Sequence, residues 1–256
     1  MNDGFRVPEG IYLCPEEFEY YSKYNCLSEI LVKRVKQFAE KIEKRYFPFF
    51  SIRAESKNSR KKSEIPSTMV NVGIITFLRE NGYAKIHEHV LEAAQESYFD
   101  RISLFNINPR KTFINIEDEL LFHIILFYDK MKDSRHDYLK GVILQRMVFG
   151  NMDITSGTGI CCNWPGEKTN FSCFKGVFLP QHQGCPLIKG SWGYYELDLS
   201  ELKDLNIKAY NYIKYVYEHL KVNYFTDPYI EFTIERENVY ILQVENRQRY
   251  VRSTMI

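Results

Sequence analysis

The chain has no run of the ~18 apolar residues needed to span a bilayer, and its first residues, MNDGFRVPEG, lack the basic and apolar segments of a secretory signal. A cytoplasmic protein with no membrane partner is the expectation. Net charge is also nearly absent, because 34 Lys and Arg stand against 33 Asp and Glu and leave +1. No long-range field draws in nucleic acid or an anionic membrane. Thirteen glycines and nine prolines among 256 residues are too few for a collagen or a low-complexity linker. Six cysteines, Cys14, Cys26, Cys161, Cys162, Cys173 and Cys185, are too few to make a disulfide miniprotein of so long a chain, and free thiols are expected. What remains is 45% hydrophobic and 26% charged, enough apolar surface to offset the entropy of folding in one large domain or two small ones.

Nucleotide and metal signatures are likewise missing. No G-x-x-x-x-G-K-[ST] occurs, and SGTG lacks the third glycine of a dinucleotide fingerprint. Cys161, Cys162, Cys173, His182 and Cys185 crowd into one stretch, but adjacent cysteines on a strand face opposite ways and no C-x-x-C clamp is present. His87 and His89, two apart on an expected helix, point to different faces. Phosphate binding must therefore draw on scattered basic residues and turn amides, with Arg53 first and Arg60, Lys61 and Lys62 reading as a solvated loop.

The periodicities that are present predict an extended segment at Val7 to Leu13 and a helix from Pro15 to Tyr24 that opens on proline and acids. A second helix carries Leu31, Val35, Phe38 and Ile42 as one apolar stripe. Phe47 to Ile52 reads as a buried strand ending at Arg53, and Ala54 to Ser67 as an exposed loop. Helical patterns return at Ile86 to Ser97 and around Leu121 to Tyr128. From Leu139 the runs GVILQRMVFG, GTGICCNW and FKGVFL read as strands, a last helix carries Ile213, Val216, Tyr217 and Leu220, and Ile230 to Ile234 with Val239 to Val244 form a hairpin. The order implies an α+β fold, with approximate subdomains 1–135 and 136–256.

The hairpin carries the most legible chemistry. A three-residue loop, Arg236 to Asn238 with Asn238 left-handed, would set Glu235 opposite Val239, Thr233 opposite Ile241 and Glu231 opposite Gln243. Glu231, Thr233 and Glu235 then share one face, with Glu245 beyond Gln243 on it, while Ile230, Phe232 and Ile234 enter the core. A carboxylate beside an amide oxygen suits a hard cation such as magnesium, whereas the alternative is a solvated sheet face.

Gln145 to Gly159, QRMVFGNMDITSGTG, resembles the Q-x-M-V-F-G-N-x-x-x-T-S-G-T-G stretch of the ATP-binding domain of pyruvate phosphate dikinase. The hairpin IEFTIERENVYILQ, the N-terminal VPEGIYLCPEEFEYY and the strand FFSIRAE resemble further segments of that family, in family order. The resemblance implies an ATP-grasp-like fold, two subdomains with a nucleotide cleft between them, that uses ATP and magnesium. It places Arg53 at the ATP phosphates, as the candidate catalytic residue, and Gln145, Met147 and Val148 beside the adenine. Thr155, Ser156, Gly157, Thr158 and Gly159 fall in a small-residue turn near the nucleotide, and Glu231 and Gln243 at the metal. The implied acceptor is a histidine on a partner phosphohistidine domain or a small molecule bound directly.

Departures from the pattern are specific. With six residues before Val7, the family's glycine- and lysine-bearing segment is not expected, nor are the phosphohistidine domain and pyruvate-binding barrel that follow in the family. Val177, Cys185 and Pro186 replace acids, Tyr229 replaces an aspartate, His182 an alanine, and Glu245 a basic residue. These changes keep open a second reading, a degenerate ATP-grasp domain retained as a binding or regulatory module.

Overall fold

A computed structural model describes residues 4–44, 49–56, 70–72, 115–132, 139–162, 174–182 and 197–246. The expected helix at Ile86 to Ser97, His87, His89, Arg60 to Lys62, Cys173 and Cys185 lie outside the described residues. The fold is α+β, with helices packed on antiparallel sheets. Two compact units result, one of residues 9–147 and one of residues 1–8 with 148–256.

In the first unit the strands are β1 (Gly10–Leu13), β2 (Phe50–Ser56), β3 (Val70–Val72) and β4 (Leu139–Arg146), and the helices α1 (Pro15–Tyr24), α2 (Glu29–Glu43) and α3 (Ile116–Lys132). The sheet order is β1-β4-β2-β3, antiparallel throughout. Helix α1 starts on Pro15 with Glu16 and Glu17 in its first turn and ends at Asn25, whose φ of 54° gives the left-handed stop that asparagine tolerates. Helix α2 starts where the Ser28 hydroxyl accepts the Leu31 N–H at 3.1 Å, and its stripe of Leu31, Val35, Phe38 and Ile42 is buried. That stripe packs with Phe50, Ile52, Val142 and Leu144 from one face of the sheet and with Leu120, Ile124 and Phe127 of α3. Strand β2 continues past Arg53, so Ala54, Glu55 and Ser56, expected in a loop, pair instead with β4. Backbone pairing beside a long central strand overrides their polar composition.

The second unit holds β5 (Gly157–Cys162), β6 (Lys175–Pro180), β7 (Leu197–Asp198), β8 (Pro228–Glu235) and β9 (Asn238–Asn246), in the order β7-β6-β5-β8-β9. A short helix α4 (Leu202–Leu205) precedes α5 (Ile207–Asn223), which begins where the Asn206 side chain accepts the Ala209 N–H at 3.0 Å. Ile213, Val216, Tyr217 and Leu220 of α5 cover one face of this sheet, against Phe178, Ile230, Phe232, Ile234 and Ile241. Among the described residues no helix is long and apolar enough to cross a membrane.

Candidate functional site

The second unit's sheet buries one face under α5, so its chemistry lies on the other. Cross-strand register puts Asp198, Val177, Ile160, Glu231 and Gln243 in one row across that face. A neighbouring row runs from Leu179 through Thr158 and Thr233 to Tyr240. Glu231 is opposite Gln243, although the turn is not the expected one. Arg236 and Glu237 alone connect the strands, Arg236 rather than Asn238 has the positive φ, at 57°, and Glu235 pairs with Asn238 and Thr233 with Tyr240. A bulge then adds Leu242 to β9, since Phe232 pairs with Ile241 and Glu231 with Gln243. The shorter turn and the extra residue offset each other, which restores the pairing the sequence suggested.

Both members of this pair are half-buried and held. The Tyr229 hydroxyl donates to Glu231 Oε1 at 3.3 Å, and Gln243 Nε2 donates to Glu245 Oε1 at 2.5 Å. Tyr229 and Glu245 are themselves opposite one another, one step along the ladder. Glu235, on the same face, accepts the backbone N–H of Phe149 at 3.0 Å. Among the described residues no three His, Cys, Asp or Glu side chains gather into a metal cage.

The turn before β5 is held from within. Asp153 Oδ1 accepts from Thr155 N at 2.9 Å, Thr155 Oγ1 at 2.7 Å and Ser156 Oγ at 2.9 Å. Burial raises the Asp153 pKa, but these hydrogen bonds outweigh it and hold the carboxyl below its ordinary value. Ser156 is fully buried, and its hydroxyl also accepts Arg236 N at 2.8 Å. Thr158 is buried too and donates to Phe232 O at 3.1 Å. Gly157 and Gly159 lie on the α5 side of the sheet, where a Cβ would meet the Phe178 ring at 2.2 Å and the Phe232 ring at 2.4 Å respectively. Ring packing thus accounts for both glycines. Gly150 is constrained by backbone, since a Cβ there would lie 2.4 Å from His182 O.

In the first unit Arg53 and Gln145 share the sheet face opposite the core. Ser51 pairs with Gln145 and Arg53 with Ile143, so Arg53 and Gln145 are diagonal neighbours, each half-buried. Met147 is buried with its N–H on Phe49 O at 2.8 Å, and Val148, assigned to the second unit, is buried as well.

Two charged residues escaped the sequence reading. Arg146, 1% exposed, donates from Nε to Glu9 Oε2 at 2.6 Å and from a terminal nitrogen to Met147 O at 3.0 Å, tying the end of β4 to the residue before β1. Glu9 lies 137 positions upstream, a separation no local pattern reveals. Arg6, exposed in the second unit, lies over the Tyr240 ring at 6.0 Å and donates to Asn238 Oδ1 at 2.5 Å. It brings a cation to the edge of the Glu231 face. An open groove of about 420 Å³ beside α2, with Lys33, Lys36, Glu40 and Glu117 in its walls, involves none of the expected residues.

No family model matches the chain. Part of it is nevertheless similar to known proteins. The relatives are pyruvate, phosphate dikinases: that of Rickettsia prowazekii is 28% identical over 130 residues, 48% of this chain and 14% of that protein. The Rickettsia typhi enzyme matches to the same extent, and that of Giardia intestinalis is 30% identical over 128 residues. The matched part spans 14% of the length of these relatives.

Proposed function

We propose that the chain is an ATP-grasp-type, ATP-binding phosphotransfer domain that works with magnesium. What carries this reading is the register that sets Glu231 beside Gln243 on the polar sheet face, in a chain related over about half its length to pyruvate, phosphate dikinase. The donor set fits the metal. Magnesium is commonly bound through one or two protein oxygens, several waters and the phosphates of its substrate, so a carboxylate and an amide oxygen without a full protein cage suffice. When bound, the ion neutralises charge on the transferring phosphate.

The chain's own residues then position and polarise. Arg53 contacts the phosphates, where a planar guanidinium matches their oxygens. Gln145, Met147 and Val148 flank the adenine, and Thr155 to Gly159 lie beside the nucleotide. The Ser156 and Thr158 hydroxyls are engaged inside the protein, and Gly157 to Gly159 pair with β6 on one side and β8 on the other, so this segment serves the ligand as a rigid wall. The phosphoryl group goes to a partner's histidine or to a small acceptor bound directly, and the protein works in the cytoplasm.

Calorimetry tests the reading. ATP should bind more tightly with magnesium than in EDTA, and Glu231→Ala should remove that gain. Absence of heat with ATP, ADP or AMP under either condition sinks it.

A second reading, a domain that has lost catalysis and serves as a binding or regulatory module, draws on one row of the sheet. Val177 and Ile160, both apolar, are the next residues in line from Glu231. An acid is missing there that the resemblance supplies. ATP turnover by the isolated chain that disappears in Arg53→Ala excludes this module.

A further inference from the structure

Tyr229 and Glu245, where the sequence departs from its relatives' pattern, face each other across β8 and β9. Each touches one member of the adjoining pair: Tyr229 the carboxylate of Glu231, Glu245 the amide of Gln243. The four side chains form a block in which one cross-strand pair holds the next. A carboxylate only accepts hydrogen bonds, so the Glu245 contact at 2.5 Å commits the nitrogen of the Gln243 amide. The amide oxygen is then turned away from Glu245. An amide without such a partner turns over by rotation about its last side-chain torsion, which is broad and roughly two-fold, and presents N–H donors half the time. A cation does not bind N–H donors.

We infer that Glu245 is a positioning residue that fixes Gln243 with its oxygen available beside the Glu231 carboxylate, which Tyr229 holds, so that this pair presents oxygen to a divalent cation. The inference rests on the nucleotide and magnesium reading above. It assigns Glu245 no direct bond to the metal. Its carboxylate serves to orient the amide.

The test measures ATP affinity by calorimetry with magnesium and in EDTA, and takes the ratio as the metal-dependent gain. Glu245→Met removes the acceptor at similar volume and should reduce the gain by about 10- to 100-fold, the usual cost of losing a group that orients a metal ligand. Metal-free ATP affinity should not change. Glu245→Gln removes the charge but keeps an acceptor oxygen, so it should retain much of the gain, and Tyr229→Phe should lower it only a few-fold. With Gln243→Glu, whose carboxylate needs no orienting, Glu245→Met should cost much less. Equal losses in Glu245→Met and Glu245→Gln would mean that Glu245 acts only as a charge, and no loss in either would mean it has no role; each overturns the inference and leaves ATP binding intact. A wild-type protein with no magnesium-dependent gain defeats the parent reading and this inference together. One readout needs no nucleotide: the side-chain amide protons of Gln243 in an NMR spectrum should differ between the wild type and Glu245→Met, and their failure to move would also overturn it.

Discussion

Gly159→Ala separates two explanations of the glycines in the SGTG segment. If the glycine serves ring packing, a methyl group at this position meets Phe232 Cζ at 2.4 Å and Val177 O at 2.7 Å. Carbon atoms settle at roughly 3.5 to 4.0 Å, so the ring must retreat by about 1 Å. It has nowhere to go. Phe232 is fully buried and stacked on Phe178 at 6.4 Å with only 6° between the planes, and Val177 O lies on a strand fixed by pairing with β5. Overpacking typically costs about 1 to 3 kcal/mol, and two clashes, one of them with backbone, put this variant near about 3 kcal/mol. With a urea dependence of about 1 to 3 kcal/mol per molar, the midpoint should fall by about 1 to 3 M. Phe232→Leu in the same chain frees the ring side but not the carbonyl, and should recover about half of the loss. An unchanged midpoint for Gly159→Ala refutes the packing argument and returns the glycine to the ligand.

Ser156→Ala removes a buried hydroxyl that bridges Asp153 and Arg236 N, and should cost about 1 to 3 kcal/mol by urea denaturation, because it leaves the Arg236 N–H without its acceptor. Asp153 is depressed in the folded state, so its contribution to stability is complete above its ordinary pKa of 3.8 and disappears as pH falls through the folded value; Asp153→Asn should flatten that part of an acid denaturation curve. His123 is lowered by burial, which dominates over its contact with the Glu119 carbonyl at 2.7 Å, so stability should decline as pH drops below the ordinary value of 6.5. His123→Gln should lack that slope, and an unchanged slope contradicts the assignment. Native alkylation should label exposed Cys26 and spare Cys161 and Cys162, both buried, with burial raising the Cys161 thiol further out of reach; mass spectrometry of the labelled peptides decides it.

Elements with a strong period were legible in the sequence. The Leu31, Val35, Phe38 and Ile42 stripe is the buried face of α2, and the alternation of Ile230, Phe232 and Ile234 set their burial under α5. Local turn geometry was not legible, since an arginine with positive φ is uncommon and the bulge at Leu242 leaves no mark in composition. The pairing of Glu231 with Gln243 survived because those two departures offset each other. Arg146 and Glu9 were invisible for another reason: a half-buried ion pair between positions so far apart is set by topology, and each residue alone looks like a surface charge. The glycines of SGTG were read through their freedom to approach a ligand, whereas the nearest atoms to them are aromatic rings from the core.

The most direct measurement of the central claim is the thermal stability of the intact chain with ATP, with magnesium and with both. A ligand that binds only the folded state raises the melting temperature in proportion to the logarithm of its saturation. The account predicts a rise with ATP and magnesium together that exceeds either alone, and its loss in Glu231→Ala. Identical melting temperatures under all conditions, at millimolar nucleotide and metal, would contradict it.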